Sequence, residues 1–111
     1  MSEQDFDVIV NNRLIKVKET LLIKGKEYRR NNNPLHNFDR ASEITGLSRE
    51  KALWGFATKH LVSFFDILDD IDNGTLPTKE IIDEKIGDLI NYLILCEASI
   101  KDKINIENGN N

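Results

Sequence analysis

The stretch Glu80 to Ile100, EIIDEKIGDLINYLILCEASI, constrains the fold more than any other, because it reads as one long helix that is apolar on more than one side. Ile82, Ile86, Leu89, Leu93, Cys96 and Ile100 follow a 4-3-4-3-4 spacing and share one face at the helical period. A second, weaker stripe runs through Ile81, Asp88, Tyr92 and Leu95. A helix apolar on one face packs on one neighbour. A helix apolar on most sides is central or sits in an interface, so a homo-oligomer is expected. Asp88 lies on the second stripe, with Glu84 one turn below and Asn91 one turn above. Carboxylates and an amide beside apolar neighbours need a cation, a basic side chain or solvent as partner.

The remaining pattern is helical throughout. Phe6, Val10, Leu14, Val17 and Leu21 predict a helix from Asp5 to Lys24, with Ser2 as a cap and Gly25 as the stop. Phe38 to Thr45 reads as a short helix closed by Gly46. Ser48 caps a third helix that reaches Ile71, where Asn73-Gly74 ends it. Its expected buried stripe is Leu53, Ala57, His60, Phe64, Ile67 and Ile71. Thr78 caps the fourth helix, and the short link makes helices 3 and 4 antiparallel neighbours. The expected fold is therefore all-α: a bundle of three long helices and one short one, forming one domain over residues 1–105 with a disordered tail at 106–111.

Composition sets limits on function. The chain has 111 residues, a net charge of −4 and a single cysteine, Cys96. One cysteine excludes an intrachain disulfide and a multi-cysteine metal site, and its place on the apolar stripe reads as a buried thiol. An acidic chain is a poor candidate for dedicated DNA binding, since phosphate contacts supply most of that affinity. The start Met1 to Asp7 is acidic, and no apolar run approaches the ~20 residues of a membrane span, so a cytoplasmic protein with no membrane partner is expected.

The charges are segregated. Arg13, Lys16, Lys18, Lys24, Lys26, Arg29 and Arg30 make the first third basic, and Asp66, Asp69, Asp70, Asp72, Glu80, Asp83, Glu84 and Asp88 form a late acidic block. This is complementary helix packing, or it suits a phosphorylated ligand with a bridging divalent cation. KEYRRNNNPLHN, Lys26 to Asn37, is rich in donors (Lys26, Tyr28, Arg29, Arg30, His36, Asn37) and reads either as a phosphate-holding loop or as a solvated connection. Asp66 with Asp70 on helix 3, and Glu84 with Asp88 on helix 4, lie at similar distances from the hairpin turn. If they meet, Asp66, Glu84 and Asp88 are hard oxygen ligands for Mg²⁺; otherwise they are solvent-facing acids. Lys59, Asn91 and Tyr92 complete the candidate nucleotide-binding set, while His60, alone on an apolar stripe, reads as a core histidine.

The runs KGKEYRRNNNPLHNF, LSREKALWGFATKHLVSFFDIL and EIIDEKIGDLINYLIL, over about Lys24 to Leu95, resemble a family of small phage and prophage helical proteins, the first nucleotide-modification-associated domain. They are distantly similar to the MazG-type all-α nucleoside triphosphate pyrophosphatases. The resemblance implies a nucleotide or cyclic nucleotide ligand and, if the chain is phage-encoded, a place in the host cytoplasm. MazG-type enzymes hold Mg²⁺ with E-E-x-x-E on one helix and E-x-x-D on the next. Here Asp66 and Asp88 match, but Val62, Ser63 and Lys85 stand at three of the acidic positions, with Glu84 one place away. The resemblance thus implies a protein that retains or sequesters a phosphorylated nucleotide, including a cyclic defence signal, without turnover. The alternatives are a divergent Mg²⁺-dependent pyrophosphohydrolase using Asp66, Glu84 and Asp88, and a helical interaction module with no small ligand.

Overall fold

The computed structural model describes residues 1–109, without the side chain of Tyr28. The chain is 81% helical, and no strand is present among the described residues. The four α-helices are α1 (Glu3–Lys18), α2 (His36–Thr45), α3 (Arg49–Asp72) and α4 (Lys79–Glu107). None of them is long and apolar enough to cross a membrane. The chain divides into two compact units, the first Met1–Pro34 and the second beginning at Leu35.

Local chemistry places the starts of α1, α3 and α4 at the capping residues the sequence offers. The Ser2 hydroxyl accepts from the Asp5 amide at 3.0 Å, Ser48 from Lys51 at 3.2 Å and Thr78 from Ile81 at 3.2 Å. Each satisfies one amide that the first helical turn leaves unpaired. Gly46 closes α2 in the left-handed conformation, φ 73°, and its amide donates to the Ser42 carbonyl.

In the first unit α1 is shorter than the apolar pattern predicts. Regular α-helix ends at Lys18 and gives way to a π-helical turn, Glu19–Ile23, and a 3₁₀ turn, Lys24–Tyr28. Gly25 is where these pitches meet: a Cβ there would lie 3.1 Å from the Thr20 carbonyl oxygen. The asparagine run has a conformational reason. Asn31 and Asn32 both have positive φ, 55° and 59°, and the Asn33 amide donates to the Arg30 carbonyl at 2.9 Å, closing a tight turn. Asparagine tolerates the left-handed region that most side chains avoid.

In the second unit α3 and α4 pack along each other and α2 lies against α3. The buried apolar residues are Leu35, Ala52, Leu53, Ala57 and Ile67, with Leu53 fully enclosed. His60 and Phe64 of the expected α3 stripe are half-buried, and Ile71 is exposed. On α4 the residues that touch α2 and α3 are Asp88, Tyr92, Ser99, Asp102 and Lys103. This is the weaker of the two stripes, continued one turn further. The strict stripe is divided: Ile82, Ile86, Leu89 and Cys96 are half-buried, while Leu93 and Ile100 are exposed, Leu93 by 58%. The fourth helix also continues past the expected boundary at 105 to Glu107; the rest of the expected tail includes residues 110 and 111, which lie outside the described residues.

Arg49 ties the unit together. Its Nε donates to Ser99 Oγ at 2.7 Å, and its Nη2 donates to the Ser99 carbonyl at 3.1 Å and to Asp102 at 2.9 Å. Its Nη1 donates to Asp39 on α2 at 3.1 Å. Ser99 is fully buried, and its hydroxyl in turn donates to Glu50. Replacing Arg49 with methionine keeps the stem but strands the buried Ser99 oxygens and two carboxylates. We expect a loss of about 2–4 kcal/mol in urea unfolding followed by circular dichroism.

Candidate functional site

Two polar clusters lie in the second unit, and they differ in how far their groups are satisfied. The Arg49 cluster joins the start of α3 to the far end of α4 and borders a recess of about 310 Å³ lined by Asp39, Ser48, Glu50, Asp102, Lys103 and Ile106. Its charges pair with one another, Arg49 with Asp39, Glu50 and Asp102, and Lys103 with Glu50. Burial works to lower the Arg49 pKa, but hydrogen bonds and charges from Asp102 and Asp39 outweigh it and hold the guanidinium above its ordinary value. Glu50 is held below its ordinary value, first by the Lys103 hydrogen bond at 2.8 Å and then by Ser99. These groups are spent on one another, as befits a structural clamp.

The second cluster is in the middle of the α3–α4 pair. His60 Nδ1 lies 3.2 Å from Asp88 Oδ2, with both side chains about one-third exposed. The Tyr92 ring, one turn along α4 from Asp88, sits beside the imidazole with centroids 5.2 Å apart. Phe38, near the start of α2, meets Tyr92 edge-on at 6.4 Å and Phe56 at 6.0 Å. Burial, and then the charge of Asp88, push the Tyr92 hydroxyl above its usual pKa, so it stays a protonated donor at neutral pH. Asn91 Oδ1 is buried without a hydrogen-bond partner in the chain. The cluster therefore brings together aromatic rings, an imidazole, a carboxylate and a phenol donor, with the unsatisfied amide oxygen of Asn91 three residues along α4 from Asp88.

The sequence-predicted residues are distributed unevenly around this cluster. Asp88, Asn91 and Tyr92 belong to it. Lys59, next to His60, is exposed, as are Asp66 and Glu84. Asp88 faces His60, and among the described residues no group of three or more His, Cys, Asp or Glu is placed to hold a metal ion. His36 opens α2 half-buried, in a helix without a side-chain cap, and Asn37 beside it is exposed. In the first unit Arg29 is partly engaged, its Nη2 donating to the Leu21 carbonyl at 2.8 Å, while Lys26 and Arg30 are exposed. The side chain of Tyr28 lies outside the described residues. Burial, and then the charge of Glu50, raise the Cys96 pKa, in keeping with an inert thiol.

Arg49, Glu50 and Ser99 are residues that sequence reasoning passed over; His60, read as a core histidine, is half-buried beside Asp88. The signal for Ser99 was present: it continues the Asp88–Tyr92–Leu95 stripe by four residues, and a polar residue on a packing stripe needs a polar partner. Comparison of the chain with protein-family models, with curated proteins and with solved structures finds no match in any of the three.

The lowered Glu50 pKa fixes a sign. The stabilisation is present at pH values above the ordinary carboxylate pKa and is lost as pH falls through the lower folded value. The melting temperature of Glu50→Gln should fall below that of the wild type at neutral pH, and the two should converge on acidification through the carboxylate range. Parallel curves at all pH values would contradict this.

Proposed function

We propose that this protein binds a phosphorylated nucleotide and retains it without turnover, with the base or sugar at the His60–Asp88–Asn91–Tyr92 cluster. The observation that carries the reading is Asn91 Oδ1, buried without a partner one turn from a carboxylate that already holds a histidine. An unsatisfied buried acceptor costs about 1–3 kcal/mol, and a ligand amine or hydroxyl would relieve it. Tyr92 and Phe38 supply the flat apolar edges that a nucleobase packs against, while Asp88 and the Tyr92 hydroxyl supply an acceptor and a donor for its polar rim. Lys59 and the uncapped first turn of α2 at His36 are the nearby groups suited to phosphate.

Retention rather than hydrolysis follows from the sequence. Val62, Ser63 and Lys85 occupy positions where the MazG pattern carries acids, and a Mg²⁺ site with few carboxylates would activate water poorly. The resemblance to phage nucleotide-associated proteins supports the same ligand class and leaves sequestration of a cyclic defence signal as the biological setting of this proposal.

Titration calorimetry with a panel of mono-, di-, tri- and cyclic nucleotides tests the reading. The wild type should bind at least one of them. Asp88→Asn and Asn91→Leu should each weaken that nucleotide about tenfold or more, worth ~1.4 kcal/mol per decade, with helical circular dichroism preserved. Binding unchanged in both Asp88→Asn and Asn91→Leu would remove the cluster from the reading.

A further inference from the structure

The side of the α3–α4 pair away from α2 is apolar and open. Phe38 contacts Phe56 and Tyr92, which places α2 on the side that carries those two rings. Phe65 is nine residues from Phe56, half a turn out of phase, so it stands on the opposite side of α3. Trp54 and Leu68 fall near it, and all three are exposed, Phe65 by 52% and Trp54 by 46%. On α4, Leu93, Ile100 and Ile104 share the strict stripe and are exposed as well. These large side chains stay open in a unit that buries only five apolar residues among those described.

The geometry points to a second copy of this chain as the occupant of that face, with two α3–α4 hairpins closing into a four-helix bundle. This inference is independent of the nucleotide reading. The 4-3-4-3-4 spacing from Ile82 to Ile100 is a 3.5-residue repeat, the kind that keeps one seam against a partner helix; Leu93 and Ile100 of it are exposed, and Ile82, Ile86, Leu89 and Cys96 are half-buried. Two antiparallel helices that each leave large apolar side chains open lack a matching layer, and a second copy supplies the same length, width and chemistry through a two-fold contact. The six open side chains alone leave on the order of 500–600 Å² per copy, most of the ~800 Å² per partner that a stable interface buries. The His60–Asp88–Tyr92 cluster is on the α2 side, so the contact leaves it accessible.

The full chain reports on this directly, because Trp54 is its only tryptophan and lies in the face. Sedimentation at tens of micromolar should give twice the 12.7 kDa chain mass. On dilution, dissociation should be accompanied by a red shift of Trp54 emission over the same concentration range. Leu93→Glu, and separately Phe65→Glu, should raise the dissociation constant at least a hundredfold. A variant that loses its helical circular dichroism is set aside, and the wild-type dilution series then decides. A chain that sediments as a monomer at every concentration, or a dimer whose dissociation leaves Trp54 emission unchanged, overturns the inference. Folded variants that dimerise as tightly as the wild type do the same.

Discussion

The second unit depends on one guanidinium. Arg49 lies at the start of α3, yet its four hydrogen bonds end on α2 and on the far half of α4, fifty residues away in sequence at Ser99. Lysine would not replace it: an ammonium cannot reach a hydroxyl, a backbone carbonyl and two carboxylates from one rigid planar group. The clamp fixes which side of α4 turns towards α3. With Ser99 directed inward, the residues at multiples of a turn before it, Tyr92 and Asp88, come to face α3 as well. His60 then finds Asp88 without any local sequence signal that the two belong together.

That orientation gives the α3–α4 pair two unlike sides. One carries α2, the aromatic trio of Phe38, Phe56 and Tyr92, and the polar cluster around His60. Opposite Phe56, α3 carries the exposed rings of Trp54 and Phe65, and α4 leaves Leu93 and Ile100 of its regular stripe exposed. An apolar stripe would ordinarily be assigned to the core of its own chain. Here buried Ser99 and its Arg49 partner take the inner side of α4, and the apolar stripe is left half-buried, with Leu93 and Ile100 exposed. The polar cluster beside α2 and the exposed apolar side chains of α3 and α4 are thus distinct features of the pair.

Much of this architecture is legible in the sequence because it is local. Ser2, Ser48 and Thr78 cap the helices they precede, and Gly46 and Asn73-Gly74 stop them, since capping depends on residues a few positions apart. Periodicity shows that α4 has two stripes but does not tell which meets α3, because both satisfy the helical period equally well. The π-helical turn after Lys18 is a change of pitch within an unbroken apolar pattern, and spacing does not resolve it. For the same reason the acidic residues Asp66, Glu84 and Asp88 look alike in sequence, although only Asp88 is turned to His60. A lone histidine on an apolar stripe becomes informative only when the opposing helix supplies its carboxylate.

The account rests most heavily on retention of an intact nucleotide by the second unit, and a capture-and-release assay tests it most directly. The purified chain is mixed with mono-, di-, tri- and cyclic nucleotides and Mg²⁺, recovered, heated, and the released material identified by mass spectrometry. One nucleotide released unchanged by the wild type, and absent from the Asp88→Asn sample, is the predicted result. Cleaved products accumulating in the mixture, or no nucleotide released at all, would contradict it.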